Sequence, residues 1–244
     1  MKLSPQEKAA HRAAFQNMTL LQKLDHIFTY YKGQIFLILL AFFILGNVVY
    51  RQVTKRETVL YTGFLNIAIG EDLEQAFRED YLAFRGFNPK KQEVSLLLDL
   101  YLSEDASTEN HEYAYASRMK LLGTVNAGQL DVVLMNREAF DLLSRNQYLL
   151  DLEKALPGEA PDLYAELSPY LTSNEVVLSD NAIEYDLGEA ENREIVKETA
   201  VNGIDASQFP RIEAAGFSGT VYLGVIANTP RLQEVAQYLE YLMK

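Results

Sequence analysis

His11, His26 and His111 are the three histidines of the chain, and it contains no cysteine. Disulfides, thiolate metal sites, iron–sulfur clusters and cysteine nucleophiles are thereby removed together. The first two histidines precede an apolar segment, so a Ser-His-Asp triad or a histidine metal cluster beyond it could draw on His111 alone. His111-Glu112 lacks the second histidine of a zinc-binding helix, and no phosphate-binding glycine loop is present. Gly216-Phe217-Ser218-Gly219 is one residue short of a nucleophile elbow. Asp180, Glu184, Asp186, Glu189 and Glu191 could ligate calcium, but their spacing matches no EF-hand loop and reads as a solvated acidic turn. These residues predict no enzyme, no metal and no cofactor. What remains is non-covalent binding.

Such binding has a defined place in an open α/β sheet, beyond the carboxyl ends of the strands. The candidates there are Gly70, Glu71, Ser103, Asn136, Arg137 and Asn228, with Glu104 and Thr229 beside them. Three of these pairs open helices, where free backbone N–H groups favour an anion or a carboxylate. Asn136 has a second reading as a plain helix cap. The 15 tyrosines could stack on a sugar-like ligand or pack a core.

Charge divides the chain before secondary structure does. The whole carries −12, but residues 1–56 sum to +6 and residues 57–244 to −18. An acidic majority excludes nucleic acid as a general partner. Between the two parts, Gly33 to Tyr50 is uncharged, with eleven unbroken apolar residues from Ile35 to Leu45. Eighteen residues are near the short end for crossing a hydrocarbon core of about 30 Å. Tyr30, Tyr31 and Tyr50 stand where interfacial aromatics belong, and Lys32 and Arg51 can extend outward. The segment starts too late, and lacks the small residues after it, for a cleaved signal. It predicts a retained transmembrane helix over 33–50.

Ahead of it, Ser4, Pro5 and Glu7 mark a helix start. Leu20, Leu21, Leu24, Ile27, Phe28 and Tyr31 then form an apolar stripe, so 1–32 is expected to be an amphipathic segment. The flanking cations are Lys23 and Lys32 before the span against Arg51, Lys55 and Arg56 after it. That count does not orient the chain. The large domain decides the expectation, with the N-terminus cytoplasmic and 57–244 extracytoplasmic.

Within 57–244, Thr58–Ile69, Val94–Leu102 and Leu130–Met135 read as buried strands, each followed by a helical pattern. Thr220–Ala227 and Pro230–Met243 add a last strand and helix. Repeated strand–helix units predict an α/β domain with a mostly parallel sheet flanked by helices. Residues 151–217 are broken by Pro157, Pro161 and Pro169 and carry short strand candidates at Glu175–Leu178 and Glu198–Ile204. They read as a small insertion into a lobe made of 57–150 and 218–244.

Ala127-Gly128-Gln129-Leu130-Asp131-Val132-Val133-Leu134-Met135, then Glu138-Ala139-Phe140 and Leu149–Leu152, resembles extracytoplasmic solute-binding proteins of the type 2 periplasmic-binding fold. Val221-Tyr222-Leu223-Gly224-Val225-Ile226-Ala227-Asn228 before an apolar helix is similar to their closing strand. With its anchor, the layout resembles single-pass membrane proteins of Gram-positive bacteria that bear such a domain. The resemblance implies a type 2 periplasmic-binding-like fold with a reduced second lobe, facing outward, and ligand capture. The partners expected are the lipid membrane, a small-molecule ligand, and a membrane protein complex such as a transporter. Two functions follow: capture or sensing of a solute, or a non-enzymatic accessory subunit that reuses the fold as a docking surface.

Overall fold

A computed structural model describes Thr19 and residues 32–103, 111–188 and 191–244. The amphipathic segment expected before the span, with His11 and His26, lies outside these, as do Glu104 and Glu189. The chain divides into two compact units, Met1–Lys55 and Arg56–Lys244.

In the first unit, α1 (Lys32–Thr54) is a single 23-residue helix. Its apolar side chains face outward, and over Lys32–Tyr50 the mean hydropathy is 2.1 with none of the window buried. It is long and apolar enough to cross a membrane. Asn47 returns its amide to the Phe43 carbonyl at 3.0 Å, and the Thr54 hydroxyl donates to Tyr50 O at 2.6 Å. Asn47, which lies within the apolar window, is thus partly satisfied inside the helix itself, as an apolar medium requires.

The second unit is α/β. Its strands are β1 (Glu57–Leu65), β2 (Gln92–Leu100), β3 (Val132–Met135), β4 (Leu171–Asp180), β5 (Ile195–Asp205) and β6 (Tyr222–Val225). Between them run α2 (Glu71–Phe84), α3 (His111–Asn126), α4 (Arg137–Arg145), α5 (Leu152–Glu159) and α6 (Pro161–Leu167). Then come α7 (Ala182–Asp186), α8 (Pro210–Ala215) and α9 (Leu232–Met243). One open sheet holds all six strands in the order β2-β1-β3-β6-β5-β4.

This order corrects the sequence expectation. β1 is parallel to β2 and β3, but β3–β6, β6–β5 and β5–β4 are antiparallel. The sheet is mixed, not mostly parallel. Residues 171–205 do not build a reduced second lobe; they form a hairpin whose strands extend the same sheet. A hairpin connection forces antiparallel pairing, and a strand buried on both faces carries no pattern that reports its direction.

β3 shows why the sheet is covered on both sides. Val132 and Leu134 belong to one apolar cluster with Leu60, Phe64, Tyr81, Leu156, Leu223 and Tyr238. Val133 and Met135 belong to another with Leu100, Leu121, Phe140, Leu143 and Ile226. Successive side chains of a strand point to opposite faces, so α2, α5, α6, α8 and α9 cover one face while α3 and α4 cover the other. Two glycines permit close approach. A Cβ on Gly203 would meet the Phe140 ring at 2.5 Å, and one on Gly224 would meet Leu149 at 2.7 Å.

Candidate functional site

Because β1 and β3 are parallel, their carboxyl ends lie together. Asn66 follows β1 in a left-handed conformation, φ 56°, which asparagine adopts more readily than most residues. From there its side chain bridges two further strand ends. Oδ1 accepts from Leu102 N at 2.7 Å, and Nδ2 donates to Leu102 O at 2.7 Å and to Asn136 Oδ1 at 3.3 Å. Asn136 Oδ1 also accepts from Ala139 N at 3.0 Å, which caps α4. Beside these amides is a cavity of about 380 Å³ lined by Asn66, Ile67, Leu73, Asn136, Phe217 and Thr220. Its wall contains no ionisable side chain. It suits a small neutral group better than an anion.

Of the residues expected at this end, Asn136 lines the cavity. Gly70 caps α2 with extended backbone and no side-chain bond, and Glu71 is exposed in the first turn. Ser103 is half-buried past the end of β2. Arg137 turns away: its guanidinium pairs with Asp141 at 2.9 Å and lies 5.5 Å over the Tyr222 ring. The Tyr222 hydroxyl, then Asp141, hold Arg137 above the ordinary guanidinium value. Asn228 sits at the other end of the sheet, because β6 runs against β3 and Val225 lies opposite Val132. There its amide donates to Val125 O at 2.9 Å.

That amino end is organised around Asp131, which is fully buried. One carboxylate oxygen accepts from Tyr61 N and Arg231 Nε, both at 2.8 Å, and the other from the Thr229 hydroxyl at 2.6 Å. Arg231 also donates to Gly128 O and lies 4.7 Å over the Tyr61 ring. A buried charge demands such partners. An aspartate inside an apolar strand signals a partner from sequence, but nothing local names a residue 100 positions away.

The hairpin presents a different surface. β5 touches β6 only at Ile204 and Asp205, while β4 and β5 pair along most of their length. The two strands therefore leave the sheet as a ribbon that ends in α7. At its base, β4 carbonyls that face outward are already occupied: Ser144 Oγ donates to Glu175 O at 2.9 Å and Gln147 Nε2 to Val177 O at 2.6 Å. Asn202 in turn donates to Ser144 Oγ at 2.7 Å. These bonds block addition of another strand along that edge. A cavity of about 570 Å³ runs beside them, lined by Arg145, Gln147, Glu175, Val177, Ile195 and Lys197, with Lys197 paired to Glu175 at 2.8 Å.

Beyond the base the ribbon is exposed and sets apolar residues among acidic ones. Among the described residues of 56–244, every exposed leucine, isoleucine and valine lies between 178 and 196: Leu178, Ile183, Leu187, Ile195 and Val196. Ile183 is 72% exposed and Leu187 69%. Asp180 pairs with Arg193 at 3.0 Å and accepts from Ala182 N, and Arg193 holds its carboxyl below the usual range. Among the described residues no group of three or more His, Asp or Glu is arranged to hold a metal ion.

No protein-family model, no curated protein and no solved structure matches this chain. The resemblance to solute-binding proteins therefore gains no support from relatives.

Proposed function

We propose that this chain is a membrane-tethered accessory subunit that docks other proteins, with α1 as its anchor and 56–244 as an extracytoplasmic domain that does no covalent chemistry. The observation that supports this reading is the ribbon. It projects from a packed sheet, and it carries all of the domain's exposed leucine, isoleucine and valine side chains among the described residues. Exposed apolar clusters of this kind mark interaction surfaces. The test is to replace residues 178–196 by Asn-Gly, a turn that suits the pairing of Val177 with Lys197. In gently solubilised membranes the full chain is expected to migrate well above its own mass. The shortened chain is expected to lose that association while unfolding at the same temperature. Unchanged migration would sink the docking reading.

A second reading is capture of a small neutral ligand in the cavity beside Asn66 and Asn136, favoured by the convergence of those two amides. Only one wall of a clamshell is available, since 151–217 contributes to the same sheet and not to an opposing lobe. Thermal unfolding of the full chain with sugars, amino acids and peptides tests it: saturable stabilisation supports capture, and a flat response refutes it. Topology is tested separately by Ser179→Cys, which should react with an impermeant thiol reagent on intact cells. Reaction only after lysis would reverse the orientation.

A further inference from the structure

We infer that the end of the ribbon receives a basic, amphipathic segment of a partner protein, an assignment that rests on the docking reading above and names the chemistry of its partner. Ile183 and Leu187 are one helical turn apart, and Leu187 N donates to Ile183 O at 2.9 Å, so both side chains share a face. Leu178 lies on the strand entering this turn and Ile195 and Val196 on the strand leaving it, all exposed. Around them stand Asp180, Glu184, Asp186, Glu191 and Glu194, and the single cation of 178–196, Arg193, is engaged by Asp180.

Charge decides among occupants of this apolar surface. A second copy would bring its own carboxylates against these, and like charges brought together across an interface repel. An anionic bilayer is repelled for the same reason. A helix with leucines on one face and lysines or arginines beside them satisfies both parts of the surface. The apolar face covers Ile183 and Leu187, and the cations meet Glu184, Asp186 and Glu194. Strand addition along β4 is disfavoured, because its carbonyls at Glu175 and Val177 already have side-chain donors.

The experiment uses the full chain in zwitterionic nanodiscs, with empty nanodiscs as the blank. The probe is a fluorescein-labelled 18-residue helical peptide with leucine on one face and lysine on the other, followed by anisotropy. Saturable binding is expected, weakened at least tenfold by Ile183→Ser with Leu187→Ser. It should weaken comparably with Glu184→Gln and Asp186→Asn, and fall as salt is raised. A peptide with the same leucines and glutamate for lysine should not bind. Equal binding of the two peptides, or no effect of the serine pair, overturns the inference. So does flotation of the full chain's ribbon onto added anionic vesicles, or self-association that the serine pair abolishes. If native migration depends on the ribbon but the basic peptide does not bind, the docking reading stands and this partner chemistry fails.

Discussion

The aliphatic residues of β3 and those at the start of β5 meet opposite fates. Val132, Val133, Leu134 and Met135 are completely buried, one pair toward each layer of helices. Ile195 and Val196 begin β5 about half exposed, although Ile204 on the same strand is buried. Part of the difference is composition, since Lys197, Glu198 and Thr199 follow Ile195 and Val196, and part is what the chain brings to cover each strand. Helices follow β1, β2 and β3 closely enough to fold back on them, whereas among the described residues the connection between β4 and β5 carries only α7, five residues long and too short to do so. The sheet spends its apolar residues on cohesion; the ribbon leaves them for an interface.

If that division is right, substitutions in the sheet should cost stability and those in the ribbon should cost association. The largest loss is expected at Asp131→Asn, which leaves Arg231 without its partner at the amino end of β3. Breaking a buried pair costs about 3–5 kcal/mol, and for a domain of this size that lowers the unfolding midpoint by roughly 10 °C. Thermal unfolding followed by circular dichroism measures it. A fall of only a degree or two would mean that the pair is dispensable to the sheet.

Alkaline pH gives the next effect. Burial, and for Tyr81 also its bond to Glu234, push the Tyr81 and Tyr238 phenols above their ordinary value. A phenol raised in the folded state adds stability in full below the unfolded value near pH 10. That contribution drains as pH rises toward the folded value, because the unfolded chain releases its proton first. Stability should therefore fall by about 1.4 kcal/mol per pH unit for each phenol above about pH 10. Phenolate absorbance should show a fraction that appears only on unfolding, and Tyr81→Phe should reduce that fraction.

Gly203→Ala is expected to cost about 1–3 kcal/mol, as overpacking does, since the new methyl would meet both Phe140 and the Thr172 methyl. Denaturant midpoints check this. Smallest of all is the effect of Ile183→Ser with Leu187→Ser on folding, within about 0.5 kcal/mol, because exposed side chains contribute little. A large destabilisation there would show that the ribbon face is part of the core.

Local patterns were legible in the sequence and remote ones were not. The span, the buried strands β1 to β3 and the helices after them follow from apolar periodicity. Asn136 caps α4 as its type and position suggest, and Gly128 ends α3 with φ 62°. The direction of β6 was hidden, because TVYLGVIA is apolar on both faces and reads alike in either orientation. That one reversal carried Asn228 to the opposite end of the sheet from Asn136. The ribbon was foreshortened to two brief strands because its outer residues mix apolar with charged and are exposed, without the burial that gives a strand its pattern. Asn66 had no signal beyond standing in an apolar stretch, and its role depends on Leu102 and Asn136, which only the tertiary fold brings near.

The docking claim is tested most directly by the native mass of the full chain extracted gently from its membrane, compared with the variant carrying Ile183→Ser and Leu187→Ser. The parent is expected well above 27.7 kDa plus its lipid or detergent, and the variant shifted down with an unchanged unfolding temperature. Identical migration of the two would contradict it.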